Sequence, residues 1–280
     1  MKNFLKFIFL ITVFFSTNLI SQNIQLKTVI EEFEVKTWED GPESAELTNH
    51  EVSGHKDGNY IVYWKGDVER DYESRYYGNL YNNEGILLKK NIRFFKELSL
   101  NDYSLVDFSP KIIFNRDNSF KVFGICKDDG YYVVYEEYDR YGDLVKGWTK
   151  IFILSYLDRF IVSSDSTGNF IVANENRYLN RGIFVQKFDI DGNRINEIKP
   201  ISSGNSPKIC INNKGDFLAA WTESTIYTKK VGQLFNSNCD PISEIFTIQD
   251  SLQYFNSNSN NCSITYNKNN FIFLLFKITK

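Results

Sequence analysis

His50 and His55 are the chain's two histidines, five residues apart, with Glu51 and Asp57 close by. Imidazoles and carboxylates in one short stretch are donors that bind zinc, but zinc needs them brought to a point, as two rings on one helix face would be. This stretch runs instead into an Asp57-Gly58-Asn59 turn and an apolar strand, so it reads as an exposed pair before a turn. Asp189-Ile190-Asp191-Gly192-Asn193 offers closely spaced carboxylates and an amide of the kind calcium takes. A calcium loop wants its glycine sixth and a late bidentate glutamate. Here glycine comes fourth and Pro200 holds the late place, which favours a hairpin turn. With two histidines and no Gly-x-Ser-x-Gly elbow, nothing presents a nucleophilic serine to a base. Acid–base chemistry by two carboxylates stays open, because 35 Asp and Glu residues contain many pairs.

The elements that would position these groups repeat along the chain. Gly58, Asn118, Gly168, Gly215 and Asn269 mark polar turns spaced 60, 50, 47 and 54 residues apart. Each feeds an apolar run: Tyr60 to Trp64, Phe120 to Ile125, Phe170 to Ala173, Phe217 to Trp221 and Phe271 to Phe276. A turn followed by a β-branched and aromatic run reads as turn then strand, and runs apolar on both alternating faces belong to strands covered on both sides. A second set of turn residues, Gly85, Gly142, Gly192 and Cys239, follows 24 to 27 residues later. Four residues before each stands an aromatic (Tyr81, Tyr138, Phe188, Phe235), and two before that a polar residue (Asn79, Glu136, Gln186, Gln233). The polar column is expected to satisfy backbone groups between strands or blades.

Each unit therefore supplies four strands, with the fourth expected over Leu144 to Phe152, Arg194 to Ile201 and Ile242 to Ile248. Four antiparallel strands in about 50 residues make a blade, which buries both faces against its neighbours. The fold class is all-β, a β-propeller of about five blades or an incomplete fragment of a larger ring. A Pro-led strand, then Gly-Asn/Asp-Phe-x-x-x-Trp, then Phe-Asp-x-Asp-Gly, resembles the repeats of secreted bacterial β-propeller proteins, best at Ser206 to Ile248 and Asp165 to Ile201. That resemblance implies a recognition or scaffold role.

Trp64 and Trp221 hold the same blade position, six residues after the marker, where Gly124, Asn174 and Leu275 stand in the other units. Inter-blade packing is the favoured role over a sugar-binding platform, because aromatics dominate buried energetics. A sialidase-type Asp box is approached by Ser163-Ser164-Asp165-Ser166-Thr167-Gly168, which has one residue too many before glycine. The Arg70 to Arg75 and Asn176 to Arg181 stretches vary in length and charge, as binding loops do.

Residues 1–21 combine Lys2 and Lys6, an apolar run from Phe7 to Phe15 and a polar end, the pattern of a signal peptide, with no stable membrane insertion expected. Residues 22–50 form an N-terminal segment whose apolar stretches, Val29 to Phe33 and Val35 to Trp38, are long enough for strands that close the ring. Residues 51–280 carry the repeats, the last blade incomplete. The net charge of −3, or −5 without Lys2 and Lys6, argues against nucleic acid. Cys126, Cys210, Cys239 and Cys262 lack any C-x-x-C spacing; buried apolar roles are favoured over three open disulfide pairings. The sequence thus predicts a secreted or periplasmic, cell-surface, non-enzymatic binding or scaffold module for a protein or glycan, without cofactor or metal. The alternative is a carbohydrate-active propeller enzyme, a glycosidase or lyase with carboxylates around the central channel.

Overall fold

Seven of the repeat's markers are where the backbone turns left-handed. The computed structural model describes residues 47–55, 58–67, 74–96, 104–105, 109–154, 159–176, 182–224, 228–249, 260–267 and 270–277. Gly85, Gly142, Gly168, Gly192 and Gly215 have φ between 81° and 89°, and Asn118 and Cys239 adopt the same region at 66° and 64°. Six of these seven turns close in one way, the exception being that of Asn118, where the Ser119 amide donates to Asp117 Oδ1 instead. Asp139 N–H donates to Asp143 O at 2.9 Å, Gly142 N–H donates to Asp139 O at 3.0 Å, and Asp139 Oδ1 accepts from the Tyr141 and Asp143 amides at 2.9 and 2.8 Å. Asn82, Asp165, Asp189, Asn212 and Asn236 head identical turns. A short acceptor that caps its own turn is what favours Asp and Asn there.

These turns fold the chain into antiparallel sheets. Blade 1 is β1 (Leu47–Gly54), β2 (Tyr60–Asp67), β3 (Ser74–Tyr81) and β4 (Leu87–Phe94). Blade 2 has a first strand split into β5 (Ser104–Leu105) and β6 (Lys111–Phe114), then β7 (Phe120–Lys127), β8 (Tyr131–Tyr138) and β9 (Leu144–Leu154). Blade 3 is β10 (Arg159–Ser164), β11 (Phe170–Asn176), β12 (Gly182–Phe188) and β13 (Lys199–Ser202), and blade 4 is β14 (Asn205–Ile211), β15 (Phe217–Ser224), β16 (Thr228–Phe235) and β17 (Phe246–Gln249). A hairpin of β18 (Asn260–Asn267) and β19 (Asn270–Lys277) follows. First strands neighbour one another, β1 with β6, β6 with β10, β10 with β14 and β14 with β18, so they form the inner wall of an all-β propeller. The expected count of about five blades is corrected to four four-stranded blades plus this hairpin.

Burial lies between the blades. Ile61, Tyr63, Phe120 and Val122 sit in one cluster between blades 1 and 2; Phe123, Ile125, Phe170 and Val172 join blades 2 and 3; Ile171, Ala173, Phe217 and Trp221 join blades 3 and 4. The second strands β7 and β11 are therefore buried on both faces. Within every blade the first residue of the second strand lies opposite the last of the third, and their rings stack: Tyr60 on Tyr81 at 5.3 Å, Phe120 on Tyr138 at 5.0 Å, Phe170 on Phe188 at 5.2 Å, Phe217 on Phe235 at 4.9 Å. Turn-side contacts add ties between blades. Tyr135 Oη donates to Asp191 O at 2.9 Å, Lys187 Nζ to Gly215 O at 3.1 Å, and Lys199 Nζ to Asn238 O at 2.7 Å.

The polar column reaches backbone in each blade. Asn79 Oδ1 accepts from Asn91 N–H at 2.8 Å, while Gln186 Nε2 donates to Asn196 O at 3.0 Å and Gln233 Nε2 to Ser243 O at 2.9 Å. Glu136 has no donor and turns elsewhere: its Oε2 accepts from Phe95 N–H of blade 1 and from Tyr138 Oη, both at 2.7 Å. The side chains that bind the fourth strand also shorten it. In blades 3 and 4, Asn196 Oδ1 and Ser243 Oγ accept the Lys187 and Leu234 amides, so regular pairing resumes only at Lys199 and Phe246, later than Arg194 and Ile242. Trp221, 2 % exposed, carries the largest single apolar surface between blades 3 and 4. Trp221→Ala is expected to lower stability by about 3–5 kcal/mol, measured by denaturant unfolding; an unchanged midpoint would contradict its packing role.

Candidate functional site

In three of the four blades the inner strand loses its register at one level. In β1 the pairing with β2 shifts between Thr48 and Glu51; in β14 the pairing with β15 shifts between Asn205 and Lys208. In blade 2 the first strand breaks outright between Leu105 and Lys111, where Pro110 offers no ladder donor. In blade 3 the six pairs from Arg159 to Ser164 run without a shift. The first residue back in register is charged in each irregular strand: Glu51, Lys111 and Lys208, all seven residues before their turn markers. The regular strand has Ile161 there. Bulges re-aim side chains and concentrate next to functional sites, which makes this level of the inner wall the candidate site.

Two of the three charges meet. Lys111 Nζ lies 3.3 and 3.1 Å from the two oxygens of Glu51, across the boundary between blades 2 and 1. Ser109 Oγ donates to Glu51 Oε1 at 2.8 Å, delivered by the break before Pro110, and Tyr63 Oη donates to Oε2 at 2.6 Å. Burial acts to raise the Glu51 carboxyl, but the Lys111 charge and the hydrogen bonds from Tyr63, Ser109 and Lys111 outweigh it and hold the group below its ordinary range. Burial first, and then the Glu51 charge, push the Tyr63 phenol far above its usual value. Glu51 is thus an anion at neutral pH, and Tyr63 a fixed donor. Glu51 keeps 38 % of its side-chain surface and Lys111 27 %, enough for a small ligand to reach them. One blade further round, the strained bulge residue Ser206, with φ 53°, donates its N–H to Glu175 Oε2 of blade 3 at 3.0 Å.

The tryptophans belong to the same irregularity. Trp221 stands on β15 opposite the extra residues Ser206 and Pro207, and Trp64 on β2 opposite residues 49 and 50. Both are buried, at 2 % and 5 %, so neither offers an open ring face, and Trp221 Nε1 has no hydrogen-bond partner. Asp189 commits both carboxylate oxygens to its turn, to the Asp191 and Asn193 amides and to Asn193 Nδ2. Asp165 does the same with Thr167 and Asn169. His55 begins the first turn of blade 1, with its N–H on Asn59 O, while Asp57 and the His50 side chain lie outside the described residues. So do residues 1–46, with the expected leader and most of the closing segment, and most of the two stretches 70–75 and 176–181. Among the described residues no three His, Cys, Asp or Glu side chains converge as metal ligands, and Cys126, Cys210 and Cys239 are buried thiols. Burial raises Cys210 to about 11.

No family model and no curated protein matches the chain. Solved structures align with it. A candidate glycoside hydrolase from Parabacteroides distasonis aligns at 10 % identity and TM-score 0.47 over 82 % of this chain and 83 % of that one. An endo-arabinase from Bacteroides thetaiotaomicron aligns at 9 % and 0.42, over 79 % and 90 %. An α-L-arabinofuranosidase from Lactobacillus brevis aligns at 11 % and 0.43, over 84 % and 85 %. These likenesses concern architecture. The expectation of a non-enzymatic binding or scaffold module is corrected: these three aligned structures are named as carbohydrate-cleaving enzymes, the class of the rival reading, and a further one is a prolyl oligopeptidase from Galerina marginata.

Because the Glu51 carboxyl is held low in the folded chain, its contribution to stability is complete above the ordinary glutamate range and is lost as pH falls through its lowered value. Glu51→Gln is expected to cost about 1 kcal/mol or less at neutral pH, given the partial solvent screening. That difference should vanish as pH falls from the ordinary glutamate range through the lowered Glu51 value, when unfolding is followed by denaturant titration.

Proposed function

We propose that this chain is an exported carbohydrate-active propeller enzyme, a glycosidase or lyase, with its reacting carboxylate at Glu51. The observation that carries the proposal is the alignment of three register breaks at one level of the inner wall, delivering Glu51, Lys111 and Lys208 there while the regular strand keeps an isoleucine. Glycan cleavage needs a carboxylate placed to take a proton or to stabilise positive charge at the sugar ring. Glu51 meets that need as a half-exposed anion fixed by two hydroxyls and an ammonium. Its low proton affinity rules it out as the proton donor at neutral pH, so its part is base, nucleophile or charge stabiliser. Tyr63 stays protonated and orients the carboxylate.

The leader-like residues 1–21 support export to the periplasm or beyond, where polysaccharide is met, and a glycan is the proposed ligand. The β18–β19 hairpin, packed beside β14, is read as the start of a further blade. The test is a polysaccharide panel followed by reducing-end release and by absorbance of unsaturated products. Wild type should cleave at least one glycan, and Glu51→Gln should lower kcat by about 10²–10⁴ with unfolding at neutral pH little changed. Cleavage that survives Glu51→Gln at full rate would remove this residue from the reaction, and no cleavage by the wild type would overturn the proposal.

A further inference from the structure

We propose that Lys111 is a positioning residue for Glu51, so that the boundary between blades 1 and 2 sets the acid limit of the chemistry. The inference deepens the carbohydrate-active reading and rests on it for its functional half. The two residues hold equivalent places on neighbouring inner strands, and each is the first residue after a break in pairing. The carboxylate belongs to one blade, and its cation and its Ser109 donor to the next, so the unit exists only while the two blades are seated together. Ser53 Oγ donates to Ile112 O at 2.8 Å two residues along β1, which fixes the seating independently of the charges.

The elements packed against β1 are β2 and β6. From β2, Tyr63 faces the carboxylate, with Lys65 next along the same strand face; from β6 it is Lys111. A neutral phenol favours the ionised Glu51 only through its hydrogen bond, and the largest favourable contribution is the charge of the Lys111 ammonium. An ammonium at this distance acts on the carboxylate by charge and by hydrogen bonding, and arginine preserves the first while altering the second.

The experiment is a carboxyl-carbon NMR titration of Glu51 in the full chain, in wild type, Lys111→Met, Lys111→Arg and Ser109→Ala, with Glu51→Gln assigning the resonance. Lys111→Met should move the midpoint up by about one pH unit, Lys111→Arg should restore most of the wild-type midpoint, and Ser109→Ala should shift it less than Lys111→Met does. Where a glycan is cleaved, the acid limb of kcat/KM should move with the midpoint. An unmoved midpoint in a folded Lys111→Met variant would overturn the coupling. A moved midpoint without cleavage of any glycan would leave the coupling standing and defeat the enzymatic reading, so the two failures are distinguishable. Amide exchange in β1, β2, β6 and β7 unchanged from wild type tells a folded Met variant from a separated pair of blades.

Discussion

Everything in this propeller depends on the pairing of a second strand with a third, closed at the turn end by two stacked rings. The rings are in register in all four blades, with centroid distances of 4.9 to 5.3 Å and nearly parallel planes. Stacked aromatics across a strand pair combine large apolar area with a preferred geometry, so they fix register as well as stability. A slip by one residue would turn each second strand's faces over and part the clusters between blades. The outer and inner strands are thereby free to depart from regular pairing, and they do.

The departures have opposite uses. On the outer strand, Asn196 and Ser243 side chains substitute for backbone acceptors and the glutamine amides donate to the Asn196 and Ser243 carbonyls, so these backbone groups are paired where the ladder lapses, while Gln186 Oε1 is left buried without a partner. On the inner strand, the lapses present charge near the axis. Tryptophan occurs opposite the lapse in blades 1 and 4, where two residues of the inner strand face the single residue that carries the ring. The regular blade 3 puts Asn174 in that place, and its Oδ1 is buried without a partner.

Much of the architecture was legible because turn chemistry is local. Asp or Asn at the head and Gly at the left-handed position are required by φ values near +85°, and the spacing of those residues counts the blades. Asn118 and Cys239 could be placed by register although neither is glycine, and both carry the left-handed φ. The late onset of β13 and β17 was not legible, because it depends on side chains such as Asn196 that compete with backbone at short range. Glu51 was visible only as a neighbour of two histidines. Its importance depends on Lys111, 60 residues away, and no local pattern announces that meeting. The signal that existed was positional: Pro110 and Pro207 each precede a lysine seven residues ahead of a turn marker, and Glu51 fills the same slot.

The closed turns described above also divide the ring into two ends with different freedom to change. On one end, the connection from first to second strand is five residues long in all four blades, and that from third to fourth strand is five in blades 1 and 2 and ten in blades 3 and 4, where the outer strand starts late. In six of the turns at this end hydrogen bonds consume the side chain at the head, and neighbouring blades lean on those headed by Asp189 and Asn212. At the other end, the connections from second to third strand run to six, three, five and three residues. Changes of sequence and length therefore cost least at this second end, where specificity can drift, while the capped turns at the opposite end hold the blades in step.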